Sequence, residues 1–161
     1  MGASDLSDAM VETVVETLER GRDEITAALG AKNYQIELGP FFSDEISTIS
    51  KYPAIQVVAG PKDVEWAAQR VRRETYNLFV DVLIKNVKKE EAMRLLRSFA
   101  GATQNWLNDF DNLRFTVKDS DVLVYDSRCT RIEYGHRRGG ALRAARLSWY
   151  GKTVNPISAP L

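Results

Sequence analysis

Thiols and imidazoles are almost missing from this chain: Cys129 and His136 are the only ones in 161 residues. An internal disulfide is therefore impossible, and neither a cysteine cluster nor a histidine-based metal site can be assembled. A Ser-His-Asp arrangement would have to recruit His136, which lies among arginines, and nothing marks a nucleophile for it. The acidic stretches NDFDN and KDSD lack the spacing of a calcium loop and read as turn composition. No catalytic residue, metal ligand or cofactor site is expected. Also lacking is any run near the ~18 apolar residues of a membrane span, and the polar, acidic start does not follow the plan of a signal peptide.

Net charge is absent too, with 22 basic against 22 acidic side chains. A broad nucleic-acid binder is expected to be basic, because its affinity comes from neutralising phosphates. The charge is unevenly distributed, however. Residues 1–50 hold ten acidic side chains against Arg20, Arg22 and Lys32. Residues 128–152 hold six arginines and Lys152 against Glu133 alone. Two readings are open: the two ends neutralise each other within a subunit, or the acidic part of one subunit meets the basic part of its neighbour.

What is present is an ordinary globular composition, 44% hydrophobic and 27% charged, long enough for one domain with its own core. Residues 5–29 predict a long N-terminal helix: Ser4 or Asp5 can cap it, and Met10, Val11, Val14, Val15, Leu18, Ile25 and Leu29 recur at three- and four-residue steps. Its stripe either packs on the domain's own sheet or docks in part on another subunit. A short strand is expected at 34–38, followed by a long connection at 39–52 whose paired Phe41 and Phe42 either tuck beneath it or face a partner. YPAIQVVAG predicts a buried strand at 54–59, ended by Gly60-Pro61. TYNLFVDVLIK, at 75–85, alternates cleanly: Tyr76, Leu78, Val80, Val82 and Ile84 share one face, and Asn77, Phe79, Asp81 and Leu83 the other. The apolar face demands a helix layer, and residues 88–110 supply one through Ala92, Leu95, Leu96, Phe99, Thr103, Trp106 and Phe110. The mixed face, with Phe79 and Leu83, suits water or another subunit.

DVLVYD and RCTRIEY are further strand candidates, whereas 143–154 is open between strand and helix. Between them, GHRRGG lacks the Gly-x-x-x-x-Gly-Lys-Ser/Thr of a phosphate loop and the three glycines of a dinucleotide fingerprint. Gly139-Gly140 fits a hairpin turn with positive φ, either plain or with a basic tip that touches a partner. The element order predicts an α+β domain: a largely antiparallel sheet with helices packed on one face, spanning 1–154, with 155–161 as an extended tail.

Residues 52–154 resemble the tail terminator, or tail completion, proteins of long-tailed lambda-type bacteriophages. The resemblance lies in KYPAIQVVAG, ETYNLFVDVLIKN, the helix opening at KKEEAMRLL and carrying NWL, and the closing GALRAARLSWYGKTV. It favours a strand at 143–154. The resemblance implies a non-enzymatic virion protein, assembled in the host cytoplasm, that forms a ring, usually a hexamer. Such a ring caps the tail tube, ends its polymerisation and meets the head-tail connector, while genomic DNA passes through without specific binding. Related neck proteins share the pattern, so a head-completion adaptor is the alternative, and a small nucleic-acid-binding domain using 128–152 is a further one. On the ring reading, Phe41, Phe42, Phe79, Leu83, Arg137, Arg138, Arg143 and Arg146 are the expected interface residues. Charge reversal at Arg137 and Arg138 is expected to weaken assembly with the fold intact.

Overall fold

The structure, a computed structural model, describes residues 6–43, 49–68, 71–85 and 88–156. The expected caps Ser4 and Asp5 and the end of the tail, 157–161, lie outside these. The described residues form an α+β fold of helices α1 (Ser7–Arg20), α2 (Arg22–Ala31) and α3 (Lys89–Leu107) with strands β1 (Phe41–Ser43), β2 (Ala54–Ala68), β3 (Val71–Lys85), β4 (Phe115–Thr116), β5 (Leu123–Arg137) and β6 (Leu142–Pro156). The sheet order is β1-β2-β3-β6-β5-β4. All pairings are antiparallel except β1 with β2.

The alternation in β3 sets the layers. Tyr76, Leu78, Val80, Val82 and Ile84 are buried at 2% exposure or less, beneath helices whose Met10, Val14, Leu18, Leu96 and Phe99 complete the core. The N-terminal helical region breaks at Gly21, a position that leaves no room for a side chain: a Cβ there would stand 2.3 Å from the Trp106 indole. Trp106 uses that space to donate from Nε1 to the Thr17 carbonyl at 2.7 Å. Gly21→Ala is expected to cost about 1–3 kcal/mol, the range for overpacking a tight contact, measurable by urea denaturation. Past the break α2 runs on to Ala31, two residues beyond the expected end at 29, with Gly30 inside it.

Four strands are 15 residues long, far beyond the sequence expectation. Gly60-Pro61 does not end β2 as the sequence predicts; the strand continues through it. The register shifts between Ala59 and Lys62, so the proline without an N–H falls in a bulge where no ladder bond is lost. Asn77 Nδ2 donates to the Pro61 carbonyl at 2.8 Å and holds the bulge in place. DVLVYD and RCTRIEY are likewise one strand, β5, kinked by register shifts between Val124 and Asp126 and between Cys129 and Arg131. Residues 143–154 are strand. No strand forms at 34–38; the short strand there is β1, seven residues from the expected start.

At ~3.3 Å per residue such strands reach roughly 50 Å, against roughly 28 Å for a 19-residue helix. The sheet therefore runs on past its helices as two long hairpins pointing in opposite directions, since Val71 pairs with Pro156 and Lys85 with Leu142. On the β2–β3 hairpin the Glu74 carboxylate is fully buried. It accepts from Tyr76 Oη at 2.5 Å and faces Arg72 Nε at 2.7 Å and Lys62 Nζ at 3.5 Å.

Candidate assembly surface

The second face of the sheet, away from the described helices, holds most of the expected interface residues. Its centre is Asp81, which the sequence reading placed on that face without giving it a role. Asp81 is 2% exposed although it lies on the mixed face. Arg146, its register partner on β6, grips it with Nε at 2.9 Å from Oδ1 and Nη2 at 2.9 Å from Oδ2. Arg137 adds Nη2 at 3.2 Å from Oδ2. The Arg146 guanidinium also lies over the Phe79 ring, 4.5 Å from its centroid. Such planar, charge-assisted contacts fix geometry as well as charge.

The register explains how Arg137 arrives there. It pairs with Leu142, four residues from Arg146 along β6, so its side chain crosses the intervening row of Gly135, Ala144, Leu83 and Ala54. Gly135 and Ala144 leave room for it. Leu83 is consequently closed over, at 3% exposure, and does not offer a contact surface as expected. Arg143 is also turned inward: its neighbours in register are Ile84 and His136, it is 7% exposed, and Nη1 lies 2.9 Å from Met93 Sδ on α3. Phe41 is buried too, at 7%, under the Arg22 guanidinium 4.0 Å from its ring centroid, so packing within the chain is the observed arrangement. Arg22 is held there by donating to the carbonyls of Leu38 and Gly39. Phe42 and Phe79 are half-buried, and the Arg137 and Arg146 side chains remain 41% and 37% exposed.

Arg138 sits at the tip of the β5–β6 hairpin, in a 3-10 turn Arg138–Gly140 with φ of 52°, 62° and 91° at its three positions. The two glycines take the left-handed conformation without strain, as the hairpin reading required. Charge reversal at Arg137 is not neutral to the fold after all, because it would set a second carboxylate against buried Asp81. The acidic part of the chain is on the helix side: Asp8, Glu12, Glu16 and Glu19 line the exposed side of α1, where Lys118 Nζ pairs with Glu16 at 2.7 Å.

Among the described residues no group of three or more His, Cys, Asp or Glu side chains could hold a metal ion, and no helix is long and apolar enough to cross a membrane. Cys129 is buried, and that burial pushes its thiol up to about 12. His136, the only imidazole, is exposed on β5.

No protein-family model matches the chain, and no curated protein is similar to it. In fold it is similar to a chain in the structure described as the virion of native gene transfer agent (GTA) particle. The TM-score is 0.59, over 94% of this chain and 100% of that one, at 12% sequence identity. At that identity the likeness is one of fold.

Proposed function

We propose that the chain is a structural subunit of a phage-like virion that closes into a ring. On this reading the ring caps a tail tube, ends its polymerisation and offers its other face to the head connector, with DNA passing through the hole. The observation that carries it is the end-to-end fold likeness to a chain of a virion particle, which leaves no part of that chain unmatched. The resemblance of residues 52–154 to tail terminators points the same way. So does a surface that presents an arginine-rich sheet face and an acidic helix face without a constellation for bond making.

The mechanism is interfacial. Two long hairpins reach beyond the core in opposite directions, which suits a subunit that must touch neighbours at both ends of a channel. A neutral chain is also compatible with DNA passage, since tight phosphate binding would hold the DNA in place. The test is the native mass of the full chain together with negative-stain images, alone and with isolated tails. Rings of about six 18.1 kDa subunits on tail ends are expected. A solitary particle that also ignores tails would overturn the reading, and rings that bind only empty heads would favour the neck-adaptor alternative.

A further inference from the structure

The helix-free side of the sheet contains a hollow. Asn77 and Phe79 of β3, Ser148 and Tyr150 of β6, Thr130 of β5 and Pro61 of β2 line about 210 Å³ of open space. Asn77 is opposite Tyr150 and Phe79 opposite Ser148, so these four side chains share one face. Next to them on β5, Arg128 is opposite Tyr150 and Arg131 opposite Ser148, and both arginines are exposed. The hollow thus has an aromatic floor, and its rim carries these two arginines together with carboxylates: Glu133 pairs with Arg131 at 3.2 Å, Asp63 Oδ2 accepts from Asn77 Nδ2 at 3.0 Å, and Asp126 Oδ2 accepts from Tyr150 Oη at 3.4 Å. Among the described residues no side chain fills it.

A knob of matching chemistry projects elsewhere. Phe110 is 86% exposed, and its neighbours Asp109 and Asp111 are exposed as well. The knob is held rigidly in a 3-10 turn, Phe110–Asn112. Asp109 Oδ1 accepts from the Asp111 N–H at 3.1 Å, Asn112 Nδ2 donates to the Trp106 carbonyl at 2.8 Å, and Ser127 Oγ donates to the Leu113 carbonyl at 2.9 Å. A pre-ordered aromatic group loses little entropy on docking. These anchors tie the knob to the end of α3, on the helix side, so a chain cannot fill its own hollow.

We infer that Phe110 of one copy seats in this hollow of a second copy, with Asp109 and Asp111 meeting Arg128 and Arg131. A cavity of roughly 150 Å³ accommodates a benzene ring, so the hollow admits a phenyl side chain. Tyr150 and the part of Phe79 that Arg146 leaves uncovered line it with aromatic surface, and the two aspartates meet Arg128 directly and Arg131 by displacing its exposed pair with Glu133, which costs little. Knob and hollow are different surfaces, so the contact is heterologous and passes from subunit to subunit until it closes. The inference rests on the ring reading and names the contact that would build the ring.

Two variants test it, Phe110→Ala, which removes the knob, and Thr130→Trp, which obstructs the exposed rim of the hollow. Each alone should associate at least about 30-fold more weakly than the unmodified chain, the loss typical of a central aromatic anchor. Mixed together they should form a 1:1 dimer and nothing larger, because only one of the two possible contacts survives. Native mass spectrometry reads this directly, and the dimer also shows that Thr130→Trp is folded. A photo-crosslinking residue at position 110 should capture β3 or β6 of a second copy. Rings formed equally well by Phe110→Ala, a mixture that gives no dimer, or a crosslink only to another virion protein would each overturn the contact and leave the ring reading standing. An unmodified chain that never assembles would overturn both.

Discussion

Phe99→Ala is expected to lower stability by about 3–5 kcal/mol, whereas Phe110→Ala should change it by less than about 0.5 kcal/mol. The two phenylalanines belong to one sequence pattern, and helical spacing assigns both to the core. Phe99 is fully buried between α3 and the sheet, in contact with the main hydrophobic cluster, so its removal leaves a cavity that close-packed neighbours fill only in part. Phe110 stands 86% exposed, with little contact to lose. In thermal melts the first variant should fall by roughly 6–20 °C and the second by no more than about 2 °C. Equal losses would show that Phe110 is packed within its own chain, and the knob would then not exist.

The contrast shows where the sequence was legible. Core positions of β3 and the first four turns of α3 follow from period alone: Ala92, Leu96, Phe99 and Thr103 are all buried where the stripe puts them. The pattern fails at 110 because the helix ends at Leu107 and the 3-10 turn capped by Asp109 rotates the next side chain off the stripe. NDFDN reads as turn composition, but its first three residues, 108–110, also fall in the helix expected at 88–110, and the two readings conflict. A phenylalanine between two aspartates just past a helix end was the available signal. The layer order, the helix-covered face and the 137–142 hairpin were equally readable from alternation and glycine placement.

Long-range register was not readable. Strand lengths depended on bulges at Gly60-Pro61 and near Cys129, where one residue drops out of the ladder and the strand continues. Leu83 and Arg143 were placed at an interface because alternation gives a face but not what crosses it. Only the pairing of Arg137 with Leu142, set against its reach to Asp81, shows that Leu83 is covered. The hollow likewise needs β3 and β6 in register before Asn77, Ser148 and Tyr150 become neighbours. A lone aspartate inside NLFVDVLIK was the one local hint that the second face is a built surface.

That aspartate carries the other large expected effect. Arg146→Gln should cost about 2–4 kcal/mol, below the 3–5 kcal/mol of a fully buried pair, because Arg137 still faces Asp81 and both guanidiniums reach solvent. Asp81→Asn should cost less, since the two arginines it releases can hydrate. The double variant should be more stable than the sum of the single losses by more than about 1 kcal/mol, the signature of a direct contact in a double-mutant cycle. Losses that simply add, within about 0.5 kcal/mol, would mean that the ion pair is incidental. The same cycle bears on assembly, because Arg146 covers Phe79, which floors the hollow. Asp81→Asn therefore leaves the knob untouched but loosens its receptor, and should weaken association more than its effect on stability implies. Wild-type association of Asp81→Asn would separate the cluster from the hollow and confine it to holding the sheet together.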